Sequence, residues 1–217
     1  MKIIKLDELE NDPGRYSEVA EVLKDDGVVI FPGESNYRLG VNVLSPQAVA
    51  RLHQGKRRVQ NKPALVFIHD KRELEGLVGE IPPVALQLMA TFWPGMLTIR
   101  FEPGRALPAK VRKALTKATG RVGVRIPLKE VCAKVVRSFG APMLVSSANR
   151  SKKSGAQSLA QVRKNFGNVA DLLIDAGDLP QMQASTVVDV SATGWTMIRE
   201  GALTSAEISE KIGVAPG

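Results

Sequence analysis

Gly27-Val-Val-Ile-Phe-Pro-Gly-Glu-Ser-Asn-Tyr-Arg-Leu-Gly40 opens with a short, unbroken apolar run and then turns polar at Pro32-Gly33. Five apolar or β-branched residues ending in a Pro-Gly break read as a buried strand. The segment Pro32–Tyr37 behind it reads as a loop leaving the strand end. The same unit recurs along the chain. Pro142-Met-Leu-Val145 runs into Ser146-Ser-Ala-Asn-Arg150, Thr196-Met-Ile198 runs into Arg199-Glu-Gly201, and Ser185-Thr186 opens a further strand. Strands are also predicted at Ala64–Ile68, Met96–Phe101, Arg121–Ile126, Leu172–Ile174 and Thr186–Val190. Amphipathic stretches predict helices near 15–25, 45–54, 70–77, 83–92, 108–117, 128–139, 158–165 and 204–211, with Ser45 as a cap. Strands alternating with helices specify an α/β domain, and loops leaving a rigid sheet are where ligands bind.

The 217 residues, 44% of them apolar, suit one domain spanning 1–217, ending in a helix and tail over 203–217. No apolar run approaches the roughly 18 residues of a membrane span, and Met1-Lys-Ile-Ile-Lys-Leu-Asp-Glu lacks a signal-peptide core, so a soluble, cytoplasmic protein with no membrane partner is expected. The lone Cys132 and the widely separated His53 and His69 argue against disulfide, zinc and thiolate chemistry. The formal charge is +8, unevenly spread. From Asn165 to Ile198 there are four Asp and no Lys or Arg, whereas Arg105–Arg137 holds ten basic residues against one acid. A second basic cluster runs Arg51, Lys56, Arg57, Arg58 and Lys62. Such bands attract phosphate-rich partners, either nucleic acid or a nucleotide.

The chain has no Gly-x-x-x-x-Gly-Lys-Ser/Thr loop, no Gly-x-Gly-x-x-Gly and no Gly-x-Ser-x-Gly, so any nucleotide site is built differently. It offers Lys and Arg near Ser, Thr and Asn, an inventory suited to binding phosphates and a carboxylate and to catalysis by orientation and charge neutralisation. Lys56, Arg58 and Lys62 follow a predicted helix on a connecting loop, while Ser146-Ser147-Ala148-Asn149 lines up donors and acceptors after a strand. Arg121 and Arg125, evenly spaced on one predicted strand, should share a face.

Taken together, Pro32-Gly-Glu34-Ser-Asn-Tyr37-Arg-Leu39-Gly40, Lys56-x-Arg58, Lys62-Pro63, Trp93-Pro94-Gly95-x-Leu97-Thr98, Gly123-Val-Arg125-Ile-Pro127, Ser146-Ser-Ala-Asn149, Ser185-Thr-Val-Val-Asp189 and Arg199-x-Gly201 resemble the YrdC-like domain of the threonylcarbamoyl-AMP synthase family over about residues 15–202. The resemblance implies a twisted mixed β-sheet flanked by helices, with a concave basic surface. It implies synthesis of L-threonylcarbamoyl-AMP and pyrophosphate from L-threonine, bicarbonate or CO2, and ATP with Mg²⁺, for a tRNA modification completed by partner proteins. By position, Lys56 and Arg58 would be catalytic. Arg58, Lys62, Arg121, Asn149 and Arg199 would bind ATP, and Ser35, Arg125, Ser147 and Ser185 would bind threonine, with no resident metal. A non-catalytic relative holding double-stranded or structured RNA is the alternative.

The chain departs from the family pattern beside these sites. The usual first loop, Pro-Thr-Glu-Thr-Val-Tyr-Gly-Leu-Gly, has Gly33 and Ser35 for its two Thr, Asn36 for Val, and Arg38 for the Gly before Leu. Arg150-Ser-Lys-Lys-Ser-Gly155 replaces a Ser-Gly-x-Pro stretch, and Phe67 stands where His is common. Trp93-Pro94-Gly95 reads as a rigid structural bend.

Overall fold

The computed structural model of the chain describes residues 1–56, 63–149 and 157–217. Its strands are β1 (Lys2–Lys5), β2 (Val29–Pro32), β3 (Tyr37–Asn42), β4 (Leu65–Phe67), β5 (Leu97–Phe101), β6 (Val122–Arg125), β7 (Met143–Ser147), β8 (Leu172–Asp175), β9 (Thr186–Ser191) and β10 (Gly194–Arg199). The helices are α1 (Leu6–Asn11), α2 (Tyr16–Lys24), α3 (Pro46–Gly55), α4 (Pro83–Phe92), α5 (Ala109–Thr116), α6 (Glu130–Phe139), α7 (Leu159–Phe166) and α8 (Ser205–Ile212). The strands form one sheet in the order β1-β8-β2-β3-β7-β4-β6-β5-β9-β10. It is mixed: β4 runs parallel to β6 and antiparallel to β7, and β5 runs parallel to β9 and antiparallel to β6.

Because successive strand residues point to opposite faces, the sheet buries two separate cores. On one face Val28, Ile30, Leu39, Val41, Ile99 and Val188 pack against α3, α4, α5, α7 and α8. On the other, Val29, Phe31, Phe67, Met143 and Val145 pack under α2 and α6 through Val19, Leu23, Val135 and Phe139. Ser45 caps α3, its Oγ accepting from the Ala48 N–H at 3.1 Å.

Three elements were not anticipated: β1, α1 and β3. In β3, apolar Tyr37, Leu39 and Val41 alternate with Arg38, Gly40 and Asn42, a strand period that the preceding Pro-Gly break masks. Pairing with β2 on one side and β7 on the other makes the strand, with Tyr37, Leu39 and Val41 fully buried. The predicted helix over 70–77 is instead one 3-10 turn, Lys71–Leu74, closed by a reciprocal Asp70–Glu73 cap and followed by Gly76 at φ +78.

Candidate active site

A cavity of about 490 Å³ opens on the sheet face that also carries α2 and α6, where the strands β4, β6, β5 and β9 lie beyond those helices. Its walls come from the β2–β3 turn (Ser35, Asn36, Arg38), the sheet face (Leu65, Thr98, Arg100, Gly123, Val187), the end of β7 (Val145, Ser146, Ser147), and Ser185 with Arg199. Gly201 lets the segment after β10 pass against residues 184–185, since a Cβ there would sit 2.2 Å from the Ala184 carbonyl oxygen. This close approach carries Arg199 to the site, where its Nη2 donates to the Ser185 carbonyl at 2.7 Å.

Of the residues assigned from the sequence, Ser35, Ser147, Ser185 and Arg199 line this cavity. Ser185 Oγ lies 3.1 Å from Thr98 Oγ1, and Ser147 Oγ donates to Asn149 Oδ1 at 2.6 Å, so Asn149 stands directly behind a lining hydroxyl. Lys56, at the C-terminal end of α3, is buried, and its Nζ donates to Ser146 Oγ at 2.8 Å and to the Ser147 carbonyl. Its ammonium therefore sits behind the end of β7. Arg58 and Lys62 lie outside the described residues.

Arg125 is fully buried behind this wall. Its Nη2 donates to Glu34 Oε2 at 2.5 Å, its guanidinium lies 4.8 Å from the Phe67 ring centroid, and Glu34 Oε1 accepts from the Leu128 N–H at 3.1 Å. The carboxylate that Arg125 holds here is thus the protein's own. Burial alone would raise the Glu34 carboxyl, but the Arg125 cation and the peptide N–H groups outweigh it and hold the group below its ordinary 4.5. Arg121 immediately precedes β6, and its guanidinium reaches Glu102, Asp189 and the Val190 carbonyl; it is not among the residues lining the cavity.

Sequence reasoning assigned no function to Thr98 and Arg100. Arg100 pairs with Asp189 through two contacts, at 2.5 and 2.8 Å. The signal was present in Leu97-Thr-Ile-Arg-Phe101, whose polar residues alternate with apolar ones and so share the face opposite the core. Cys132 is buried, its thiol donating to the Pro32 carbonyl at 3.2 Å, and burial pushes it up to about 12, far from a thiolate nucleophile. Trp93 is buried and donates to the Leu97 carbonyl at 2.7 Å, which fixes the bend before β5.

Residues 21–201 match the Sua5/YciO/YrdC family, described as "Telomere recombination". The chain belongs to the Sua5/YciO/YrdC family. A Mycobacterium leprae protein is 34% identical over 203 residues, covering 94% of this chain and 90% of that one. The threonylcarbamoyl-AMP synthase of Pyrococcus abyssi is 32% identical over 194 residues, and the match covers 89% of this chain and 56% of the archaeal protein. This chain thus spans little more than half the length of that relative. The crystal structure of P. abyssi Sua5 complexed with L-threonine superposes with a TM-score of 0.85 at 29% identity, over 99% of this chain and 61% of the other. Within the Sua5/YciO/YrdC chain described here, the first-loop departures at Ser35, Asn36 and Arg38 all fall on the cavity wall.

Proposed function

We propose that this chain is a threonylcarbamoyl-AMP synthase. The observation that carries the reading is a cavity in which Ser35, Ser147, Ser185 and Arg199 converge while Lys56 backs the strand end between two of them. Hydroxyls and cations in a pocket of this size suit an amino acid and a triphosphate. The threonine-bound relative and the synthases among the similar proteins support the choice of substrate.

The threonine amine adds to CO2, forming a C–N bond and releasing a proton to solvent. An oxygen of the resulting N-carboxylate attacks the ATP α-phosphorus, and pyrophosphate leaves with the electrons of the broken P–O bond. This displacement needs in-line placement and charge neutralisation rather than a protein nucleophile. Arg58, Lys62 and Arg199 are assigned to the phosphates, with Lys56 adding positive potential. Asn149 orients Ser147, which is assigned to threonine with Ser35 and Ser185. Arg125 acts through Glu34 by fixing the β2–β3 turn, and Arg121 borders the nucleotide side through Asp189.

Mg²⁺ would come with the triphosphate and would neutralise phosphate charge; among the described residues no group of three His, Cys, Asp or Glu could hold an ion. Partner proteins then pass the threonylcarbamoyl group to tRNA, and the exposed Lys110 and Lys113 of α5 are positioned to contact RNA. Among the described residues no helix is long and apolar enough to cross a membrane. The test is pyrophosphate release from ATP by the purified chain. Release that requires both L-threonine and bicarbonate supports the reading, whereas threonine-independent release or none overturns it.

A further inference from the structure

Arg38 puts a cation on the cavity wall. It sits on β3 opposite Phe31 of β2 and Ser147 of β7, so its side chain leaves the sheet on the cavity face between Ser35 and Ser147. A Cβ at residue 33 would lie 3.0 Å from Arg38 Cγ and 3.2 Å from its Nε. A threonine at position 33 would therefore crowd the arginine. The nearest contact, at 2.6 Å, is the Asn36 carbonyl oxygen, so the turn backbone and the arginine both stand against a Cβ there.

The guanidinium feels the Glu34 carboxylate but is not paired with it. Among the described residues it makes no ion pair, and its Nε is buried without a hydrogen-bond partner. Glu34, the carboxylate beside it, spends one oxygen on Arg125 and the other on the Leu128 N–H. Burial, and after it the neighbouring Arg125 cation, bring Arg38 down to about 10, so it is still charged at neutral pH. Arg199, on the same cavity wall, is also shifted down by burial and by Arg125. On the same turn the Asn36 Oδ1 is a buried acceptor with no donor. A forked cation with an adjacent open acceptor matches a carboxylate attached to an N–H, the pattern of an N-carboxylated amino acid, and an arginine fork fits a planar carboxylate better than a point charge does.

We propose that Arg38 is a substrate-binding residue particular to this chain, taking a carboxylate of the amino-acid substrate, either its α-carboxylate or the N-carboxylate derived from bicarbonate, rather than a phosphate of the nucleotide. The proposal rests on the synthase reading for its choice of ligand and is tested with Arg38→Gln, a shorter polar side chain without the charge, and Arg38→Lys, which restores the charge. Steady-state kinetics are read separately for L-threonine, bicarbonate and ATP, and calorimetric titration with L-threonine at fixed bicarbonate is read without ATP. Losing one charge-assisted contact is expected to raise the affected KM and Kd by roughly ten- to a hundredfold, with partial recovery in Arg38→Lys and little change in the KM for ATP. An increase confined to threonine assigns the α-carboxylate, and one confined to bicarbonate assigns the N-carboxylate. Unchanged constants for both, or an effect on ATP alone, overturn the proposal while leaving the synthase reading standing. Titration of the unsubstituted protein guards against a variant that does not fold: no heat of binding from L-threonine with bicarbonate overturns the proposal directly. If no amino acid supports pyrophosphate release yet Arg38→Gln still weakens threonine binding, the synthase reading fails and the Arg38 assignment survives.

Discussion

Arg125 and Arg38 lie on the same side of the same sheet and interact electrostatically with the same carboxylate, yet they differ in what surrounds them. Arg125 has Glu34 and the face of Phe67 and is fully buried. Arg38 makes no ion pair among the described residues and faces a cavity. A buried cation with its own carboxylate belongs to the architecture, whereas one held without a carboxylate is available to a ligand. The distinction depends on what each cation touches, which a net charge of +8 does not convey.

The comparison breaks first at the closed pair. Arg125→Met leaves the Glu34 carboxylate buried without its cation and should lower stability by about 3–5 kcal/mol in chemical denaturation, with the Glu34→Gln/Arg125→Met double variant recovering part of the loss. The pair also sets an acid limit. Because the folded protein holds Glu34 below 4.5, its contribution is complete above that pH and disappears as the pH falls through the lower folded value; Glu34→Gln should flatten this part of the stability profile.

Next comes the open side. Gly33→Thr must displace the Asn36 carbonyl oxygen, 2.6 Å from the new Cβ, as well as Arg38, and should destabilise by about 1–3 kcal/mol. Combining it with Arg38→Gly removes the side-chain part of the clash, so the two changes should be non-additive in a double-mutant cycle of melting curves. The smallest effect is expected at Ser185→Ala, which removes the partner of Thr98 Oγ1: about 0.5–1.5 kcal/mol in stability, together with a raised KM for threonine.

Much of this fold was legible because burial imposes period. Apolar runs such as Val28–Phe31 and Leu144–Val145 pointed to their strands, and the Val49–Leu52 stripe to α3, since each element packs a face dictated by its own repeat. The strand β3 was hidden behind the Pro32-Gly33 break, which reads as a loop, although Tyr37, Leu39 and Val41 alternate with Arg38, Gly40 and Asn42 and pair with β2 just across the turn and with β7 far away in sequence. At the site, Ser35, Ser147 and Arg199 stand out as polar residues after apolar runs and Ser185 as the opening of a strand, while their assignment to ligands came from the family resemblance. Which cations are already spent could not be read. Glu34 and Arg125 lie 91 residues apart and Arg121 finds Asp189 across the sheet, pairings that only the strand order creates. The clearance between Gly33 and Arg38 is likewise a property of the turn's shape.

The central claim is that the cavity joins threonine, a one-carbon unit and ATP. It is tested most directly by incubating the purified chain with L-threonine, ATP, Mg²⁺ and ¹³C-labelled bicarbonate and reading the adenylate product by mass spectrometry. A product of threonylcarbamoyl-AMP mass carrying the labelled carbon is predicted. An adenylate without the label, or ATP consumed with no threonine in the product, would contradict it.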